Sequence, residues 1–156
     1  MLNGALTIGT LDGANVEMCE SVGEENMFIF GMKVADVEAL DKRGYNPMEF
    51  YEKSKYLPVV ISAIKDGHFS PNEPYLFSEL MENLLKYDRF KLLADFDAYV
   101  EKQEEVSKVF QDQEEWSKRC ALNIAKAGIF SSDRTIGQYA REIWGVEPDL
   151  DFKIPV

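Results

Sequence analysis

The chain has 156 residues, 46% of them hydrophobic and 12% aromatic, enough to bury the core of one ordinary domain. Lys and Arg number 17 against 28 Asp and Glu, for a formal net charge of −11. That balance argues against a nucleic-acid partner, whose phosphates need a basic footprint, and against docking on an anionic membrane. The ten Phe, seven Tyr and two Trp argue against a disordered acidic tail, and no apolar run approaches the roughly 18 residues of a membrane span.

Met1-Leu2-Asn3-Gly4 carries no basic flank and opens no long apolar block, so no signal peptide is expected. Cys19 and Cys120 make no disulfide framework; free thiols fit the reducing cytoplasm, where the chain is expected to reside. There is no internal repeat, low-complexity tract or flexible linker.

Ala5-Leu6-Thr7-Ile8-Gly9-Thr10 is a short apolar and β-branched run between glycines, suited to a buried strand. Leu11 to Met18 reads as a turn opening a helix, with Asp12 as its candidate N-cap and Gly23 as its stop. Met27-Phe28-Ile29-Phe30-Gly31 is a second strand candidate. This β-turn-α-loop-β order is the grammar of a parallel α/β sheet. Two strands make no independently stable sheet, and a buried parallel strand needs neighbours on both sides. The segment is therefore expected to be the edge of a larger α/β domain, and the chain a piece of a longer protein.

From Met32 onward the signals are helical. Val34, Val37 and Leu40 precede a stop at Gly44. Asn46-Pro47 caps a helix carrying Met48, Phe50 and Tyr51. A break is expected at Leu57-Pro58, then a helix from Val59 to Ile64. Leu76, Phe77, Leu80, Leu84 and Tyr87 mark one helix face. Phe96, Tyr99, Val100, Val106 and Phe110 mark the next, with Asp95 as its cap. Trp116, Cys120, Ile124 and Ala127 form a further stripe. Ser131-Ser132-Asp133 is expected to cap a last helix whose Ile136, Tyr139, Ala140, Ile143 and Trp144 fit the amphipathic template without a miss. Gly145 ends it, and residues 146–156 form a polar tail.

The residues that invite chemistry are few. Thr7 to Asn15 runs a strand into a glycine-containing turn and a helix N-terminus, where backbone N–H groups can hold an anion. It matches neither dinucleotide nor P-loop patterns and has no lysine, so a capped strand-to-helix turn is the plainer reading. His68, the single histidine, has no assignable partner and reads as a turn residue. The cysteines lack metal-ligand spacing; Cys120 reads as packing and Cys19 has no evident partner. Glu24-Glu25 and Glu104-Glu105 read as solvated acidic faces, and Trp116 and Trp144 as core rather than sugar platforms. No catalytic or metal residue is assigned.

At Asn3-Gly4-Ala5-Leu6-Thr7-Ile8-Gly9-Thr10-Leu11-Asp12-Gly13-Ala14-Asn15-Val16-Glu17 the sequence closely resembles the glycogen (α-1,4-glucan) phosphorylases. The likeness continues through Gly23 to Gly31, Arg43 to Asn46, Phe69-Ser70-Pro71, Asp88-Arg89-Phe90-Lys91 and Phe130 to Ile136, and ends over Gln138 to Pro148. It spans residues 3 to 148, and its carboxyl-half blocks resemble the animal enzymes. The resemblance implies a two-Rossmann-domain glycosyltransferase (type B fold). Such enzymes cleave terminal α-1,4-glucosidic bonds of glycogen with inorganic phosphate, releasing glucose 1-phosphate. It also implies pyridoxal 5'-phosphate as cofactor, a homodimer, and regulation by effectors.

On this likeness the Schiff-base lysine precedes Met1, so the 156-residue chain is expected to be inactive alone and to hold no covalent cofactor. Residues 1–148 are expected to form the last part of the carboxyl-terminal domain: strand–helix–strand over 1–31, mostly helices over 32–148, and a tail over 149–156. Thr10, Asp12 and Asn15 would support the cofactor segment from behind. The alternative is a free-standing, non-catalytic helical interaction module derived from that terminus.

Overall fold

A computed structural model describes residues 1–147 and Asp149; the expected tail otherwise lies outside the described residues. Two strands, β1 (Ile8–Gly9) and β2 (Phe28–Ile29), pair in parallel with Ile8 opposite Phe28 and Gly9 opposite Ile29. The ladder is shorter than the apolar runs suggested. Phe28 N donates to Thr7 O at 3.0 Å and Phe30 N to Gly9 O at 3.1 Å, and no third strand extends the sheet among the described residues. Helix α1 (Ala14–Val22) makes the crossover and ends, as expected, at Gly23 with φ 87°.

Asp12 does not cap α1. Its backbone carbonyl accepts from Asn15 N at 3.0 Å, while its carboxylate accepts from the Thr10 hydroxyl at 3.2 Å. The cap position is Gly13, at φ 48°, with no side-chain bond.

Helix α2 (Val34–Arg43) stops at Gly44, and α3 (Pro47–Lys53) is capped by Asn46, whose side chain accepts from Met48 N at 3.1 Å. The break before α4 (Leu57–Lys65) falls earlier than Leu57-Pro58. Pro58 sits in the first turn, where a missing N–H costs nothing. The buried Ser54 hydroxyl accepts from Tyr56 N and Leu57 N, both at 3.1 Å.

Helix α5 (Ser78–Lys86) turns Met81 inward, 2% exposed, toward α3 and α4. The apolar face marked by Leu76, Phe77, Leu80, Leu84 and Tyr87 is divided: Phe77 and Leu84 are half-buried, whereas Leu76 is 57% and Leu80 54% exposed. Asp95 does not cap α6 (Leu92–Gln111). That helix starts on Asp88, whose carboxylate accepts from Leu92 N at 2.9 Å and Leu93 N at 2.8 Å.

Helix α7 (Gln113–Lys126) is capped by Asp112, which accepts from Glu115 N at 3.1 Å. It sets Trp116 against Phe28 and Phe110, at centroid separations of 6.2 and 5.0 Å. Asn123 donates to Ala5 O at 2.6 Å and ties α7 to the entry of β1.

The Ser131 side chain does not cap α8 (Ser132–Tyr139). Its carbonyl instead accepts from Thr135 N and Oγ1, both at 3.1 Å. A π turn, Ala140–Trp144, continues α8 and closes at Gly145 with φ 63°. Of the expected core face only Ala140 is buried; Ile143 is 67% and Trp144 58% exposed. Trp144 is therefore not a core residue here, whereas Trp116 is half-buried.

A compact monomer of 17.8 kDa exposes about 8,000 Å². This chain exposes 11366 Å². Perfect amphipathic periodicity at α8 thus marks an apolar face that nothing within the described residues covers. None of these helices is long and apolar enough to cross a membrane.

Candidate functional site

In open α/β sheets, ligands gather outside the carboxyl ends of the strands. Here Gly9 and Thr10 at the end of β1, and Phe30 just past β2, open onto a cleft of about 690 Å³. Thr10, Asp12 and Asn15 all line it, beside Phe30 and Asp95. Its far wall is apolar and comes from α4, α5 and α6, including Leu57, Ile61 and Met81.

The strand-to-helix turn is held by its own side chains. Asn15 Nδ2 donates to Thr10 O at 2.8 Å and Thr10 Oγ1 to Asp12 Oδ2 at 3.2 Å. Gly9 permits this closure, because a Cβ there would lie 2.6 Å from Asn15 Nδ2. Thr10 and Asn15 are half-buried and Asp12 is exposed. The three residues expected to act together are therefore brought together. Asn15 spends its donor on the backbone and Thr10 on Asp12.

The lining tests which group the cleft could hold. Among the described residues its lining contains no Lys or Arg, and it contains two carboxylates, Asp12 and Asp95. Among those residues an anionic phosphate finds no cation, and an aldehyde finds no amine. These residues do not form a direct seat for pyridoxal 5'-phosphate.

Burial holds the Asp95 carboxyl above the usual carboxylate range; the Met32 amide opposes that rise and the Asp88 charge adds to it. Burial, seconded by Glu24, likewise raises the Cys19 thiol. Cys19 does have a neighbour the sequence did not reveal: its Sγ donates to Met27 Sδ at 3.5 Å. A raised thiol is a poor nucleophile. His68 is exposed and meets Phe69 edge-on at 4.9 Å. Among the described residues no three His, Cys, Asp or Glu side chains come together as metal ligands.

Sequence reasoning missed Asp88, which is buried and accepts from Tyr45 as well as from Leu92 and Leu93. It also missed the part-buried pairing in which Ser54 donates to Asp97 at 2.5 Å. The Asp88 signal was present as an Asp four residues ahead of an apolar helix start. No glycine announced its turn, although Asp88 and Lys91 both take positive φ, 33° and 57°.

The model of the carbohydrate phosphorylases matches residues 1–146, and the chain belongs to that family. It is 56% identical over 155 residues to "Glycogen phosphorylase, brain form" of Mus musculus, covering 99% of this chain and 18% of that protein. It is 57% identical over 161 residues to the muscle form of Oryctolagus cuniculus, covering 99% of this chain and 19% of that protein. With the muscle form of Homo sapiens it shares 57% over 148 residues, 95% of this chain and 18% of that protein. The chain thus spans about a fifth of the length of the curated relatives it matches.

Proposed function

We propose that the protein to which these residues belong is a glycogen phosphorylase, a glycosyltransferase that transfers terminal α-1,4-linked glucose from glycogen to inorganic phosphate as glucose 1-phosphate. The observation that carries this reading is identity above one half, sustained over nearly all of the chain, with relatives bearing that name. In this reading residues 1–148 are the last part of a Rossmann-like carboxyl-terminal domain of the two-domain type B class. The parallel β–α–β opening and the helices after residue 32 support it. So does the apolar surface left open on α5 and α8.

The reading includes pyridoxal 5'-phosphate, a homodimer and a cytoplasmic location. The cofactor would supply proton transfer at its phosphate group. The cleft's lining does not fit it as a direct seat, so no step is assigned to these residues. Thr10, Asp12 and Asn15 instead brace the strand-end turn and would support the cofactor's own segment from behind. The Schiff-base lysine would come from residues outside this sequence.

The test is direct. The whole protein, supplied with glycogen and phosphate, should release glucose 1-phosphate, and phosphate-free controls should not. Replacing Asp12 by Ala should lower activity or cofactor retention; unchanged kinetics together with unchanged melting would remove its supporting role.

A further inference from the structure

Asp95 stands in the first turn of α6, yet its carboxylate turns away from its own helix. Oδ1 accepts from Met32 N at 2.8 Å, 63 residues earlier in the chain. The carboxylate also lies against Gly31, two residues past the end of β2. Gly31 has φ 80°, and a Cβ built there would come within 2.8 Å of the Asp95 carboxyl carbon. The loop leaving β2 and the acid are therefore shaped to each other from both sides. The same Asp95 lines the cleft that Thr10, Asp12 and Asn15 line.

What fixes Asp95 is the start of α6, and that start is fixed by Asp88 through Leu92 N and Leu93 N. Tyr45 and Lys91 complete the joint: Tyr45 donates to Asp88, and Lys91 Nζ reaches Asp41 at 2.9 Å. A corner built from α2, the loop before α3 and the α5–α6 connection thus reaches across to one backbone amide beyond the carboxyl end of β2.

We infer that Asp95 is the positioning residue of the strand-end crevice, holding the Gly31–Met32 backbone where the reaction of the whole protein needs it. This rests on the function proposed above. It touches no reacting atom and acts through the loop. Reacting groups misplaced by about 1 Å lose up to roughly a hundredfold in rate, so a loosened wall should lower kcat more than it raises KM.

The experiment uses the whole protein with Asp95→Ala, Asp95→Asn and Asp95→Glu. Hydrogen exchange of a peptide spanning Gly31–Met32 is read beside kcat, KM and melting. Asp95→Ala should speed exchange there and lower kcat about tenfold, with KM within about twofold. Asp95→Asn keeps a carbonyl acceptor of the same length and should stay within about twofold of wild type in kcat. Asp95→Glu keeps the charge but shifts the acceptor, and should fall between. If Asp95→Ala does not fold, the Asn and Glu variants decide alone: Asn near wild type and Glu impaired supports positioning, and the reverse order overturns it. Unchanged kcat in Asp95→Ala, or equal losses in Ala and Asn, also overturns it. A wild-type protein without phosphorolysis would instead sink the proposed function, and the exchange arm would still report whether Asp95 holds the loop.

Discussion

Tyr45 donates its phenolic hydrogen to Asp88 Oδ2 at 2.5 Å across 43 residues of sequence. Asp88 is buried, and its remaining acceptor capacity goes to Leu92 N and Leu93 N. Removing a buried acceptor leaves each donor unsatisfied at about 1–3 kcal/mol. Asp88→Ala should therefore cut amide protection at Leu92 and Leu93 by roughly 30- to 100-fold, about 2–3 kcal/mol of local stability. Tyr45→Phe, which leaves both helix amides paired, should cost about 1 kcal/mol. Site-resolved hydrogen exchange separates the two variants, and equal protection in both would show that Asp88 does not start the helix.

The same pair sets a pH dependence. Burial first, and then the hydrogen bond to Asp88 and its charge, raises the Tyr45 phenol well above its ordinary value of 10.0. A group whose folded pKa is raised contributes stability that is complete below its unfolded pKa and is lost as pH climbs toward the folded one. The advantage of wild type over Tyr45→Phe should hold at neutral pH and shrink above about pH 10. Denaturation midpoints of both proteins at pH 7 and pH 10.5 check this. A gap that widens with pH would contradict the assigned cause.

Two glycines with positive φ should respond differently. Gly145 has φ 63° and open space where a Cβ would sit, whereas Gly31 has φ 80° and the Asp95 carboxylate. Gly145→Asn, a residue that tolerates left-handed backbone, should cost under about 1 kcal/mol. Gly31→Ala should cost about 1–3 kcal/mol, because it adds a clash to the backbone penalty. Thermal unfolding ranks them, and a harmless Gly31→Ala would mean that the loop moves freely away from Asp95.

The exposed apolar face of α8 and its π turn should make the separate 156-residue chain sticky. Ile136, Ile143 and Trp144 are all more than half exposed, and a contiguous face of that kind marks a contact surface. The chain should bind a hydrophobic dye and self-associate, and Ile136→Asp with Ile143→Asp should reduce both. A monomeric chain that binds no dye would favour the free-standing module instead.

Much of this architecture was legible from glycine, proline and apolar spacing. Gly23, Gly44 and Gly145 end their helices, and Asn46-Pro47 opens one, because local backbone chemistry decides those positions. What failed was capping by proximity. Asp12, Asp95 and Ser131 stand where a cap could stand, but Asp12 accepts from Thr10, Asp95 is drawn to Met32, and Ser131 offers only its carbonyl. Burial failed at α8 for a different reason. Periodicity reports that a face is apolar, not that its cover lies in the same stretch of chain. The grouping of Thr10, Asp12 and Asn15 was readable from one turn. The Asp95–Met32 and Tyr45–Asp88 contacts were not, since nothing local encodes a bond across 63 or 43 residues.

Glucose 1-phosphate release from glycogen and phosphate should be measured side by side for the whole protein and for residues 1–156, each loaded with pyridoxal 5'-phosphate and then reduced with borohydride for mass analysis. The whole protein should be active and carry one reduced cofactor on a lysine outside this sequence, and the short chain should show neither. A short chain that turns over glycogen with a cofactor-modified lysine of its own would contradict the account.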